Sequence, residues 1–149
     1  MYDKDPKRGI KALSNLLVGQ YGMSQELVRT LVLKYPRILN KSDTAIVSLF
    51  DYLKGNKGIE ELTAMKLIFD VPVLLSEDVP AKAKEIEELF YVYHGITADE
   101  VTQIFLSFPY LYCCQTFKIQ RWMAEFRKYR FTKEQIINLV SQSASRLLL

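Results

Sequence analysis

Apolar residues recur along this chain at helical spacing, in short bursts that each close on a proline. In residues 95–112, Val101, Ile104, Phe105 and Phe108 fall on one stripe of a 3.6-residue period. Thr97 stands where an N-cap belongs, and Glu100 three residues later completes a capping box. Ile96 and Val101 occupy the N′ and N4 positions of a hydrophobic staple. Pro109 stops the helix, because it has no N–H to donate and its ring clashes with the preceding turn.

Aligned on its prolines, the phrase occurs four times, over residues 23–39, 59–75, 96–112 and 131–147. The anchors Pro36, Pro72, Pro109 and, in the last copy, Ala144 lie 36, 37 and 35 residues apart. The columns agree in chemistry. Met23, Ile59, Ile96 and Phe131 open each copy, after Gly22, Gly58, Gly95 and, exceptionally, Arg130. Val28, Ala64, Val101 and Ile136 follow, then Leu31, Leu67, Ile104 and Leu139, then Val32, Ile68, Phe105 and Val140. Leu39, Leu75, Tyr112 and Leu147 come three positions after the anchor. Thr132 and Gln135 form a second capping box, Ser24 is an N-cap without one, and Glu60 breaks the pattern in the second copy.

An earlier helix precedes each copy, near residues 10–20, 44–54, 80–93 and 117–129. Asp43 and Thr116 suit the N-cap of theirs, and Pro80 suits N1. The glycines after these helices fit the left-handed C′ position. A helix pair of this kind cannot bury its apolar face alone, and stacking the pairs buries a continuous core. The expected fold is therefore all-α: an α-solenoid in one domain, residues 1–149, with repeats near 10–42, 43–78, 79–115 and 116–149. Hydrophobic content of 49%, with only six Gly and five Pro in 149 residues, agrees with a helical globular chain.

The formal net charge is only +3, but it is unevenly spread. Residues 1–55 carry nine bases against five acids, 56–100 four against ten, and 101–149 seven against two. The middle is acidic and both ends are basic, so no uniformly basic groove is evident. The two cysteines, Cys113 and Cys114, are adjacent, which disfavours a mutual bridge and leaves no second pair for a metal site. No apolar run approaches the ~18–20 residues of a membrane span. The opening residues lack an apolar segment and are too acidic and short for a transit peptide, which leaves a cytosolic protein, a mature form or a fragment.

A period near 36 admits tetratricopeptide and pentatricopeptide repeats, but the tetratricopeptide Trp and Leu-Gly signature does not recur, and the single Trp122 lies in the last early helix. What the phrase resembles is the mitochondrial transcription termination factor (mTERF) family. Leu33-Lys34-Tyr35-Pro36-Arg37-Ile38-Leu39 is very like that family's repeat, in which an aromatic or apolar residue, Pro and an apolar pair follow a patterned helix. Phe69-Asp70-Val71-Pro72-Val73-Leu74-Leu75 and Leu106-Ser107-Phe108-Pro109-Tyr110-Leu111 fit as well. The resemblance covers residues 10–148. It implies two α-helices and a short 3₁₀ helix per repeat, stacked as a curved superhelix, in a mitochondrial or plastid protein. It also implies binding to double-stranded DNA or structured RNA, in transcription control or termination, RNA processing or ribosome assembly. Four repeats is short for the family, and the acidic middle departs from a continuous binding surface.

Little in the chain suggests catalysis. His94 is the sole histidine and has no nucleophile motif beside it, so it reads as the end of a helix. Glu85, Glu87 and Glu88 read as a solvated face, no Gly-rich phosphate loop occurs, and Cys113-Cys114 read as packing residues. The expectation is a non-enzymatic protein with no cofactor, no metal and no small-molecule substrate. Phosphate binding needs several cationic heads on one face. Lys118, Arg121, Arg127, Lys128 and Arg130 supply them in the last unit, and Lys118, Arg121 and Lys128 share a helical face over an apolar side of Ile119, Trp122, Met123 and Phe126. Lys34, Arg37 and Lys41 cluster at the first proline, with Lys7, Arg8 and Lys11 upstream. On charge alone these are equally ordinary solvated side chains; the resemblance favours nucleic-acid binding. Tyr110, Tyr112 and Tyr129 are candidates to stack on unpaired bases, against core packing for the first two. The alternative is a protein–protein scaffold subunit of a large organellar assembly such as a mitoribosome, with no membrane insertion.

Overall fold

The computed structural model describes the backbone of residues 6–148, the side chains of 9–143 and that of Arg146. Among the described residues every regular element is helical. The chain divides into two compact units, residues 1–76 and 77–149. The first holds α1 (Pro6–Tyr21), α2 (Gln25–Lys34), α3 (Asp43–Asp51) and α4 (Glu61–Asp70), with 3₁₀ turns at Pro36–Asn40 and Pro72–Ser76. The second holds α5 (Val79–His94), α6 (Ala98–Ser107), α7 (Thr116–Lys128) and α8 (Lys133–Leu148), with one 3₁₀ turn at Pro109–Cys113.

The prolines act as the pattern implies. Tyr35, Val71 and Phe108, the residues before them, leave the helical region at φ −141°, −130° and −135° with ψ 78°, 69° and 83°, as a following proline favours. Each still donates its N–H to the helix it leaves: Tyr35 to Leu31 O at 2.8 Å, Val71 to Leu67 O at 2.8 Å, Phe108 to Ile104 O at 2.7 Å. Each then accepts the first bond of the 3₁₀ turn, from Ile38, Leu74 and Leu111 at 3.0–3.1 Å. The fourth repeat lacks this turn. Ala144 keeps its N–H and lets α8 run on to Leu148, so the expected third helix is missing there. The side chains of Ala144 and Leu147 lie outside the described residues, as do those of Lys7 and Arg8.

The turn between paired helices also repeats. Gly22, Gly58 and Gly95 adopt φ of 70°, 64° and 66°, and Arg130 takes φ 60° in their place. Directly after each glycine, Met23, Ile59 and Ile96 donate to the carbonyl six residues back, at 2.9–3.3 Å. After Arg130, Phe131 reaches back only five residues, to Phe126 O at 2.9 Å. Several caps differ from expectation. Ser42, not Asp43, caps α3, its Oγ accepting from Ala45 N at 3.1 Å, because Asp43 is already helical. Gln115 precedes α7 without a side-chain cap bond, and Thr116 is its first residue. Asp78 caps α5 through Ala81 N at 3.2 Å, which moves Pro80 one position inward from N1. α3 stops at Asp51 and continues as a π-helical turn, Tyr52–Asn56.

The aligned apolar columns supply much of the two cores, although Val32, Leu39 and Leu139 are half-buried and Phe131 is exposed. Val28, Ala64, Val101 and Ile136 are all buried, as are Ile68, Phe105 and Val140. Tyr21 stacks on Phe50 at 4.0 Å in the first unit, and Phe105 on Tyr112 at 4.5 Å in the second. Each stack is worth about 1 kcal/mol beyond the area it buries.

Candidate nucleic-acid interface

Helix α7 forms because Ile119, Met123 and Phe126 recur at helical spacing and are buried, which leaves its cations on the outside. Arg121, Arg127 and Lys128 are exposed and Lys118 is half-buried. None of the four forms an ion pair among the described residues. Lys118, Arg121 and Lys128 line one face. Arg127, one residue before Lys128, lies about 100° round the helix, where its guanidinium sits 4.4 Å from the centroid of the Tyr93 ring on α5. Lys128 Nζ lies 5.4 Å over Tyr129, which is itself exposed. Arg130 follows in the left-handed turn and is exposed. The structure thus gathers Lys118, Arg121 and Lys128, places Arg130 at their end, and turns Arg127 toward α5.

The first-unit cluster is less uniform. Arg37 is exposed in the first proline turn and Lys41 is half-buried just after it. Lys34 is held: its Nζ donates to Phe69 O at 2.9 Å and lies 5.0 Å over the Phe69 ring. A cation on a carbonyl in the last turn of α4 complements that helix dipole, worth about 0.3–1 kcal/mol. Tyr35 and Ser76 join their hydroxyls beside it.

Three other groups read differently in space. His94 ends α5, and its Nε2–H donates to Met123 O at 2.9 Å, pinning α5 to α7. Glu87 leaves the solvated run, accepting from the Tyr112 hydroxyl at 3.2 Å. Tyr112 is fully buried, whereas Tyr110 and Tyr129 are 40% and 64% exposed, so only the latter two are available to a base. Lys82, which no sequence motif marks, donates to Cys114 O at 2.7 Å. Burial pushes the Cys113 and Cys114 thiols up to about 12 and about 11, so both stay protonated and poorly suited to attack or metal ligation. Cys114 instead donates its S–H to Tyr110 O at 3.3 Å. Among the described residues no group of three His, Cys, Asp or Glu is placed to hold a metal ion, and no helix is long and apolar enough to cross a membrane.

Compared with known families, the chain matches the mTERF model over residues 13–141, from within α1 to within α8 and through both units. Among curated proteins no match is found.

Proposed function

The chain belongs to the mTERF family, whose proteins are non-enzymatic nucleic-acid binders and typically organellar, and from that membership we propose that it binds duplex DNA or structured RNA in a mitochondrion or plastid. It acts there in transcription control or termination, RNA processing or ribosome assembly, as one repeat domain spanning residues 1–149. Lys118, Arg121, Lys128 and Arg130 contact phosphates, with Arg37 and Lys41 as the second basic patch and Lys34 and Arg127 contributing field more than direct contact. The observation that carries this reading is the row of exposed or half-buried cations on α7, none of them paired with a carboxylate among the described residues. Three phosphate contacts release enough counterion to lower log K against log salt by about 0.9 each on duplex DNA.

A titration against duplex DNA and structured RNA across ionic strengths tests it. The triple variant K118E/R121E/K128E should weaken binding and flatten the salt slope by about 2–3. Equal binding by the wild type and the triple variant, or no salt-dependent binding near physiological ionic strength, overturns it.

A further inference from the structure

Helices α5 and α7 leave a groove of about 420 Å³ along their seam. Glu85, Glu88, Leu89 and Val92 line it from α5 at spacings of three and four residues, one stripe of the helix, with Tyr93 beside them and Arg127 across. Val92 is 63% exposed, and Leu89 and Tyr93 are half-buried, so the apolar part of the stripe is only partly covered. Glu85 and Glu88 are exposed and form no ion pair among the described residues. Arg127, across the groove with its guanidinium 4.4 Å from the Tyr93 ring centroid, sets one positive charge against these two carboxylates without pairing with either. The groove therefore offers an apolar strip beside charged side chains that sum to one negative charge, two carboxylates against one guanidinium, in a protein whose net charge is +3.

We propose that this groove docks an amphipathic α-helix of a partner protein. The partner's apolar stripe covers Leu89, Val92 and Tyr93, and its Lys or Arg side chains reach Glu85 and Glu88. A third helix laid between two packed helices matches ridge-and-groove geometry, and the three-and-four spacing on α5 is the spacing a helical ligand presents. Charge complementarity sets the sign of the partner. Two carboxylates beside the strip repel phosphate, which disfavours nucleic acid here, while the protein's overall positive charge gives a basic peptide no general attraction elsewhere. The inference stands apart from phosphate binding by α7 and can fail or hold independently of it.

The test uses the full chain and three synthetic peptides of about 18 residues, five turns of helix. One carries Leu at i, i+3, i+4 and i+7 with Lys flanks; the second has Glu for Lys; the third scrambles the first. Fluorescence anisotropy should show binding of the basic amphipathic peptide alone. Val92→Asp should weaken it about tenfold or more, which is at least ~1.4 kcal/mol. The E85K/E88K variant should lose the basic peptide and gain the acidic one. All three substituted side chains are exposed, and circular dichroism checks that each variant remains helical. Equal binding of the scrambled peptide, indifference to V92D, or no charge-swap gain overturns the proposal. So does displacement of the basic peptide by a short single-stranded RNA whose own binding is lost in V92D, which would make the groove a nucleic-acid site.

Discussion

Arg130 carries a backbone conformation that its three equivalents assign to glycine. Its φ of 60° brings Cβ close to the following carbonyl oxygen, a clash that glycine avoids. Arg130→Gly should therefore stabilise the protein by about 1 kcal/mol, after glycine's larger unfolded-state entropy is set against the relieved clash. Urea unfolding should show a raised midpoint at unchanged slope, and duplex affinity should fall as the proposed phosphate contact of Arg130 is lost. The adjacent thiols make a second residue-scale prediction. Their native pKa values lie above the ordinary value, so the unfolded chain ionises first as pH rises. Their stabilising contribution is complete below about pH 9 and is lost as pH climbs toward 11–12. A C113A/C114A variant should lose less stability than the wild type between pH 9 and 11, as read by urea midpoints at each pH.

The elements owe their limits to local chemistry, and the caps show it. Thr97 Oγ1 accepts from Glu100 N at 3.3 Å while Glu100 Oε1 accepts from Thr97 N at 2.9 Å. Thr132 and Gln135 repeat the exchange at 3.1 and 2.9 Å. Glu100 also meets Lys133 at 2.8 Å, linking the starts of α6 and α8. The Lys133 hydrogen bond, then that of the Thr97 backbone, holds its carboxyl below the usual range. That contribution is present above the ordinary carboxylate pKa and is lost as pH falls through the depressed one. Glu60, by contrast, makes no side-chain cap bond to α4. Glu60→Thr should add the missing acceptor and raise stability by about 0.5–1 kcal/mol, while Thr97→Ala should cost about 1 kcal/mol; thermal and urea unfolding read both. These boxes were legible in the sequence because both partners lie within four residues. The shift of the α3 cap from Asp43 to Ser42 was less legible, because either residue could accept the bond and the choice depends on where the helix begins.

At the scale of the molecule, the proposed function turns on charge placement rather than total charge. Helix α5 carries Glu85, Glu87 and Glu88 against Lys82 and Lys84, while its neighbour α7 carries Lys118, Arg121, Arg127 and Lys128 against Glu125, within one unit. One face of that unit therefore presents cations while the seam beside it presents Glu85 and Glu88. In the other unit Arg37 is exposed while Lys34, also exposed, is engaged with Phe69, so Arg37→Glu should weaken duplex binding and lower the salt slope by about 1. Lys34→Glu should act first on stability, because it breaks the bond to Phe69 O. Comparing salt slopes and urea midpoints of the two variants separates the roles.

The amino-acid sequence by itself determined the repeat, its period, most caps, the proline stops and the buried columns. All of these depend on residues within one helix turn or on the apolar face a helix presents. It also carried the family, because the pattern around each proline survives as a string of residue types. Only the tertiary structure decided which cations are accessible and which are engaged. Lys34, Lys82 and His94 find their acceptors 35, 32 and 29 residues away, about one repeat along the chain. Tyr93 and Arg127 meet across a similar interval. Such contacts arise only when equivalent helices become neighbours and their side chains settle into particular rotamers, and neither condition is written in local spacing. The groove between α5 and α7 belongs to the same class, since it exists only where two helices distant in sequence lie side by side.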